Sequence, residues 1–280
     1  MIFVAGASGG LGNYIISNYD DVIGSHFSKP KEKTIYYDFS IDANLLKNIS
    51  KLEAVISTVA LTDVDYSEEN PQTSFNITFQ ANKNLADMCS ELKIPFIFIS
   101  TNDVFDGNEG NYTEEKAANP INIYSKHKEM AEKYLIDHCE KFLILRTSIL
   151  STYSSFKNET LIKTIFKNIL NKKENNLFID SFNSPVHISS ISKFIMNKDY
   201  WSSKKIIHLY SDRVSKVDIG QIASKVMKQE IFINKISMKD ATLKAQRPKD
   251  VSLLSNFTKK YDIEEEVQKT YYDYVNNQII

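Results

Sequence analysis

Asn122-Ile123-Tyr124-Ser125-Lys126-His127-Lys128-Glu129 holds the residues best suited to do chemistry. Tyr124 and Lys128 are four positions apart, which on a helix places them on one face, one turn from each other. A lysine ammonium beside a phenol favours phenolate and lowers a pKa that is otherwise about 10. Such a pair suits Tyr124 to give a proton to a carbonyl undergoing hydride reduction. Tyr-x-x-x-Lys by itself also occurs on many surface helices, so its meaning depends on the elements around it.

The N-terminal segment supplies the first of these. Met1-Ile2-Phe3-Val4-Ala5 is a short apolar run suited to a buried parallel strand. Gly6-Ala7-Ser8-Gly9-Gly10-Leu11-Gly12 follows it, and a helix is expected from about Leu11. The spacing is G-x-x-G-x-x-G rather than G-x-G-x-x-G. Glycines here permit a tight turn and close approach of backbone, so amides at a helix N-terminus can face a pyrophosphate. Gly6, Ser8, Gly9, Gly10, Leu11 and Gly12 are therefore candidate cofactor residues, although a glycine-rich turn without a ligand has the same composition.

Strands and helices then alternate. Further strands are expected over residues 21–27, 34–39, 53–60, 94–100 and 142–146, with a long amphipathic helix over about 71–92 and the Tyr124 helix after the fifth strand. This is the pattern of a Rossmann-type, doubly wound parallel α/β sheet over residues 1–150. Beyond 150 the pattern loosens. A polar stretch over 151–155 leads into a Lys/Asn-rich helix ending near Lys173, then a strand over 206–210 and an amphipathic helix over 219–227. Residues 151–280 read as a smaller C-terminal lobe that binds substrate, with some segments returning to the first domain.

Bulk properties narrow the field. The chain has 280 residues, 42% hydrophobic and 25% charged, enough for a sizeable core. A net charge of -1 argues against a nucleic-acid surface or a polybasic membrane tether. Cys89 and Cys139 are too few for a disulfide framework, and no apolar run is long enough to span a bilayer. With a strand starting at once, no signal peptide is expected, and a reducing cytoplasm is the simplest setting. No metal is expected, because His26, His127, His138, His187 and His208 are dispersed.

Several further pieces occur in order: Tyr37-Asp38-Phe39-Ser40; Val64-Asp65-Tyr66-Ser67-Glu68 with Asn76; and Ser100-Thr101-Asn102-Asp103-Val104-Phe105-Asp106-Gly107. Asn119-Pro120 precedes Tyr124, and Leu145-Arg146-Thr147-Ser148, Ser184-Pro185 and Arg247-Pro248-Lys249-Asp250-Val251-Ser252-Leu253 come after it. With them the chain resembles an extended short-chain dehydrogenase/reductase, and most closely the dTDP-4-dehydrorhamnose reductase family, over nearly its whole length. The resemblance implies reduction of the 4-keto group of a nucleotide-activated deoxysugar, in the making of surface-polysaccharide precursors. It implies catalytic roles for Thr101, Tyr124 and Lys128: Thr101 bonds the substrate carbonyl, Tyr124 gives the proton, and Lys128 tunes Tyr124 and holds the nicotinamide ribose. It also sets Asp38 and Phe39 at the adenine, Val59, Ala60 and Leu61 along the cofactor, and Thr101, Asn102, Asp103, Ile149 and Arg247 around the substrate. A homodimer is among the states it allows.

Cofactor choice follows from charge. NAD enzymes commonly place a carboxylate at the end of the second strand to hold the adenosine ribose. Here Phe27 is followed by Ser28 and Lys29, a hydroxyl and a cation that would accept a 2′-phosphate, so NADPH is favoured and NADH remains the alternative. The chain also departs from the family. Asn102-Asp103 replaces the usual Asp-Tyr, Ile149 stands where tryptophan is common, and Ser57 where asparagine is. A different keto-sugar nucleotide, reduced or epimerised, is thus one alternative. Another is a non-catalytic NADP-binding regulatory subunit resembling the methionine adenosyltransferase beta subunit.

Overall fold

Ile2, Phe3, Val4 and Ala5 are all buried, because helices cover both faces of the strand they form. In the computed structural model, residues 1–153 and 159–276 are described. Ser154 and Ser155, part of the polar stretch noted above, lie outside the described residues. The chain begins with β1 (Ile2–Ala5), α1 (Gly10–Asn18), β2 (Val22–His26), β3 (Thr34–Tyr36), β4 (Ala54–Ser57), α2 (Val64–Glu69), α3 (Pro71–Ser74) and α4 (Ala81–Glu91). It continues with β5 (Phe96–Ile99), α5 (Ile123–His138), β6 (Phe142–Arg146), β7 (Ile149–Leu150), α6 (Leu161–Leu170), β8 (Glu174–Phe178), β9 (Phe182–Asn183) and β10 (Val186–His187). Last come α7 (Ile188–Ile195), β11 (Lys205–His208), β12 (Val214–Ser215), α8 (Lys216–Met227), β13 (Phe232–Ile236) and α9 (Ile263–Asn276).

Seven strands form one sheet in the order β11-β6-β5-β4-β1-β2-β3, every pairing parallel. The order reverses between β1 and β4, and at such a switch point ligands bind outside the carboxyl ends of the strands. Side chains alternate across the sheet with a period of two. Ile2, Val4, Ile97 and Leu143 join a core under α1 and α7, while Phe3, Phe96, Phe98 and Ile144 join one under α4 and α5. A third core, including Ile165, Phe166, Ala223 and Val267, lies among α6, α8 and α9.

The long helix expected over 71–92 is interrupted by a π-helical turn, Phe75–Gln80. Asn82, just after it, accepts from Ser57 Oγ (2.6 Å) and donates to Val59 O (3.0 Å), and Thr78 Oγ1 accepts from Leu61 N (3.1 Å). The strand expected over 53–60 keeps its ladder only through Ser57, because these side chains hold residues 59–61 outside the sheet. Residues 37–39 likewise leave β3 early. Three small pairings were absent from the sequence reading: β7 with β10, β9 with β12, and β8 with β13, the last running parallel over five residues of each strand.

Candidate active site

The turn after β1 is shaped by what cannot fit there. Gly6 has a φ of +79°, and a Cβ on it would lie 2.9 Å from Thr58 Oγ1. A Cβ on Gly12 would meet Gly6 O at 2.7 Å, so Gly12 serves the close packing of α1 on the turn, and it does not line the cleft. Gly9 precedes α1 with no side-chain cap, which leaves the first-turn amides for another acceptor at the positive end of the helix. That cradle fits a pyrophosphate.

The turn opens on a cleft of about 690 Å³ over the switch point. Gly6, Ser8, Gly9, Gly10 and Leu11 line it beside β1, Ser28, Asp38 and Phe39 at one end, and Val59, Ala60 and Leu61 along β4. Tyr124, Lys128 and Ile149 line it too. Lys29, Thr101, Asn102, Asp103 and Arg247 are not among its walls. Tyr153 and Thr160 are walls that sequence reasoning missed, and neither sits in a periodic segment that could have announced it. Tyr153 donates to Ser8 O (3.0 Å), bridging the polar stretch to the glycine turn.

Asn122 caps α5, accepting from Ser125 N (2.9 Å), and its own amide donates to Gln246 O (3.1 Å). The cap sets the helix so that Tyr124 and Lys128 both face inward and are buried. Lys128 Nζ donates to Ile99 O (2.5 Å) and sits 4.3 Å from the centre of the Phe98 ring. Burial pulls its pKa down to about 7, against the Glu132 carboxylate one turn further on, which raises it. Glu132 is itself buried. It takes Arg146 bidentately (Nη2 to Oε2 2.6 Å, Nε to Oε1 3.0 Å) and accepts from Ser100 Oγ (2.5 Å). This one carboxylate thus joins the Tyr124 helix to the strand end that carries Thr101.

Thr101 precedes a short 3₁₀ turn, Asn102–Val104; its hydroxyl accepts from Asp103 N (3.2 Å), donates to Asn102 Oδ1 (3.4 Å) and acts on the Tyr124 phenol. Burial and the Asp103 carboxylate push the Tyr124 phenol up, while the Thr101 hydroxyl lowers it. The expected lowering by Lys128 is not what the structure shows. Lys128 is turned to the Ile99 carbonyl and has lost much of its own preference for charge.

Asn102 donates to Asn183 Oδ1 (2.7 Å) and Val251 O (3.0 Å), so its amide tethers the C-terminal segment. Tyr112 and Ser252 extend that tether (Tyr112 N to Ser252 O, 2.9 Å). Asp103 keeps part of its surface open, yet the crowding of protein around its carboxyl raises its pKa, with Lys216 and Arg247 pulling the other way. Arg247 pairs with Asp65 (3.1 Å) and donates to Ala245 O (3.2 Å), so the guanidinium expected to meet a diphosphate is engaged within the protein.

A family model described as the RmlD substrate binding domain matches residues 1–276. The chain belongs to that family. Among RmlD-family relatives, the dTDP-4-dehydrorhamnose reductase of Aggregatibacter actinomycetemcomitans is 24% identical over 267 residues, 88% of each chain. The probable low-salt glycan biosynthesis reductase Agl14 of Haloferax volcanii is 34% identical over 157 residues, and there the chain spans about half of that relative's length (52%). The fold agrees with the crystal structure of dTDP-4-dehydrorhamnose reductase from Bacillus anthracis in complex with NADP (TM-score 0.85, 19% identity, 97% of this chain and 98% of that one). Among the described residues no helix is long and apolar enough to cross a membrane.

Proposed function

We propose that this RmlD-family chain is an NADPH-dependent reductase of the 4-keto group of a nucleotide-activated deoxysugar, acting in the cytoplasm, with NADH as the alternative donor. The observation that carries the reading is the convergence of Tyr124 and Lys128 with the glycine turn on one cleft. Residues 1–150 would hold the cofactor and 151–280 most of the substrate. The cofactor supplies the hydride.

The protein's part is to position and to handle a proton. A phenol whose pKa is raised stays protonated at neutral pH, which is the state a donor to the carbonyl oxygen needs. Thr101 would share the substrate carbonyl oxygen with that phenol and opposes the rise in its pKa. Lys128 lies on the same wall, where its ammonium can reach the ribose. Gly6, Ser8, Gly9, Gly10 and Leu11 would cradle the pyrophosphate, with Gly12 packed behind them. Asp38, Phe39, Val59, Ala60 and Leu61 would border the adenosine half, and Ser28 and Lys29 would favour a 2′-phosphate. Asp103 and Ile149, which depart from the family pattern, together with Asn102 and Arg247 would shape the sugar site.

The test is NADPH oxidation with a panel of 4-keto-6-deoxy sugar nucleotides. Turnover should appear with at least one, and Tyr124→Phe should reduce it by about 10²- to 10⁴-fold while melting temperature and NADPH affinity hold. Absence of turnover across the panel, or a Tyr124→Phe protein as fast as wild type, overturns the reading. A regulatory subunit would bind NADP and turn over nothing.

A further inference from the structure

Beside the main cleft lies a second cavity of about 90 Å³, several times the room one water needs. Ile149, Ser151 and Thr160 line both, so the two spaces are adjacent. Lys216, the first residue of α8, lies on its wall with Ser148. Among the described residues Lys216 has no hydrogen-bond or ion-pair partner; its nearest named counter-charge is Asp103, at electrostatic range only. The Thr160 Oγ1 is buried and makes no hydrogen bond. Thr160 precedes α6 without capping it, so its hydroxyl is not spent on the first-turn amides of that helix.

A cation with no anion, a buried hydroxyl with no acceptor and an uncapped helix start all call for the same ligand chemistry. Arg247, the other cation at this end, is already held by Asp65. We propose that Lys216 and Thr160, with Ser148, form an oxyanion subsite that anchors the diphosphate of the nucleotide-sugar substrate. The inference rests on the function proposed above. The cofactor's pyrophosphate has a separate cradle at the glycine turn. Asp103 acts electrostatically on both Lys216 and Tyr124, so the two ends of the site are within charge range of one carboxylate.

The experiment is calorimetric titration of the full chain with UDP and with dTDP in the presence of NADP, and with NADP alone. Lys216→Met should weaken the better-binding nucleoside diphosphate by about 10- to 100-fold, the worth of a hydrogen bond to a charged group. Lys216→Arg should recover most of it, and Thr160→Val should lose about 3- to 10-fold. NADP affinity should stay within about twofold in the Lys216 variants, which also reports that they fold. Unchanged affinity for both diphosphates in Lys216→Met overturns the proposal, as does an equal loss of NADP affinity, or a wild-type chain that binds neither UDP nor dTDP. Lys216-dependent diphosphate binding without turnover on the keto-sugar panel would leave the subsite standing and remove the reductase reading.

Discussion

Replacing Glu132 by glutamine would leave the Arg146 guanidinium buried with no counter-charge. Both partners are almost sealed from water, at 2% and 3% relative exposure, so solvent screening cannot soften the change. Arg146 Nη1 already has no hydrogen-bond partner, which leaves it little to fall back on beyond the Phe105 ring, 5.1 Å from its centre. Removing one member of a buried pair costs about 3–5 kcal/mol. In a chain of this size that corresponds to a fall in melting temperature on the order of 10 °C. Differential scanning calorimetry of Glu132→Gln, with and without NADP, measures it. The companion variant, Glu132→Gln with Arg146→Met, removes both charges and should melt above the single variant, because an unpaired buried ion is worse than an uncharged pair. A single variant melting within about 2 °C of wild type, or a double variant lower still, would refute the reasoning.

Three other outcomes are expected. Gly12→Ala should cost about 1–3 kcal/mol and weaken NADPH binding, since its Cβ meets backbone at 2.7 and 2.8 Å, whereas Gly10→Ala meets only the movable Tyr153 ring at 3.3 Å and should melt close to wild type. His208 is buried and its pKa is held below the ordinary 6.5, so between those values the unfolded chain takes up a proton that the folded one refuses; stability should fall as pH drops below about 6.5, and His208→Gln should flatten that limb in pH-dependent melts. Asn122→Ala removes the α5 cap and the bond to Gln246, and should lower stability by about 1–2 kcal/mol and reduce kcat, read by melting and steady-state kinetics.

The sheet was legible because buried parallel strands are continuous apolar runs: Phe96–Ile99 and Phe142–Arg146 lie inside the segments expected from sequence. β8 and β13 were not, because Glu-Asn-Asn-Leu-Phe and Phe-Ile-Asn-Lys-Ile are half exposed, and their polar residues break any continuous apolar run. The π turn left no trace either, since Phe75 and Phe79 keep a helical spacing through it. At the site, spacing alone placed Tyr124 and Lys128 on one face. What spacing could not give was where the Lys128 ammonium turns, or that Arg247 meets Asp65, 182 positions away, because neither is a property of neighbouring residues.

The tethers from Asn122 to Gln246 and from Asn102 to Val251 have a consequence for how the protein is made. A ribosome adding about 5–20 residues per second completes the Tyr124 helix on the order of ten seconds before it releases the carbonyls those two asparagines require. During that interval the Tyr124 helix and the turn after β5 lack those two partners, so stalled or truncated translation products carry the phenol and the lysine without these moorings.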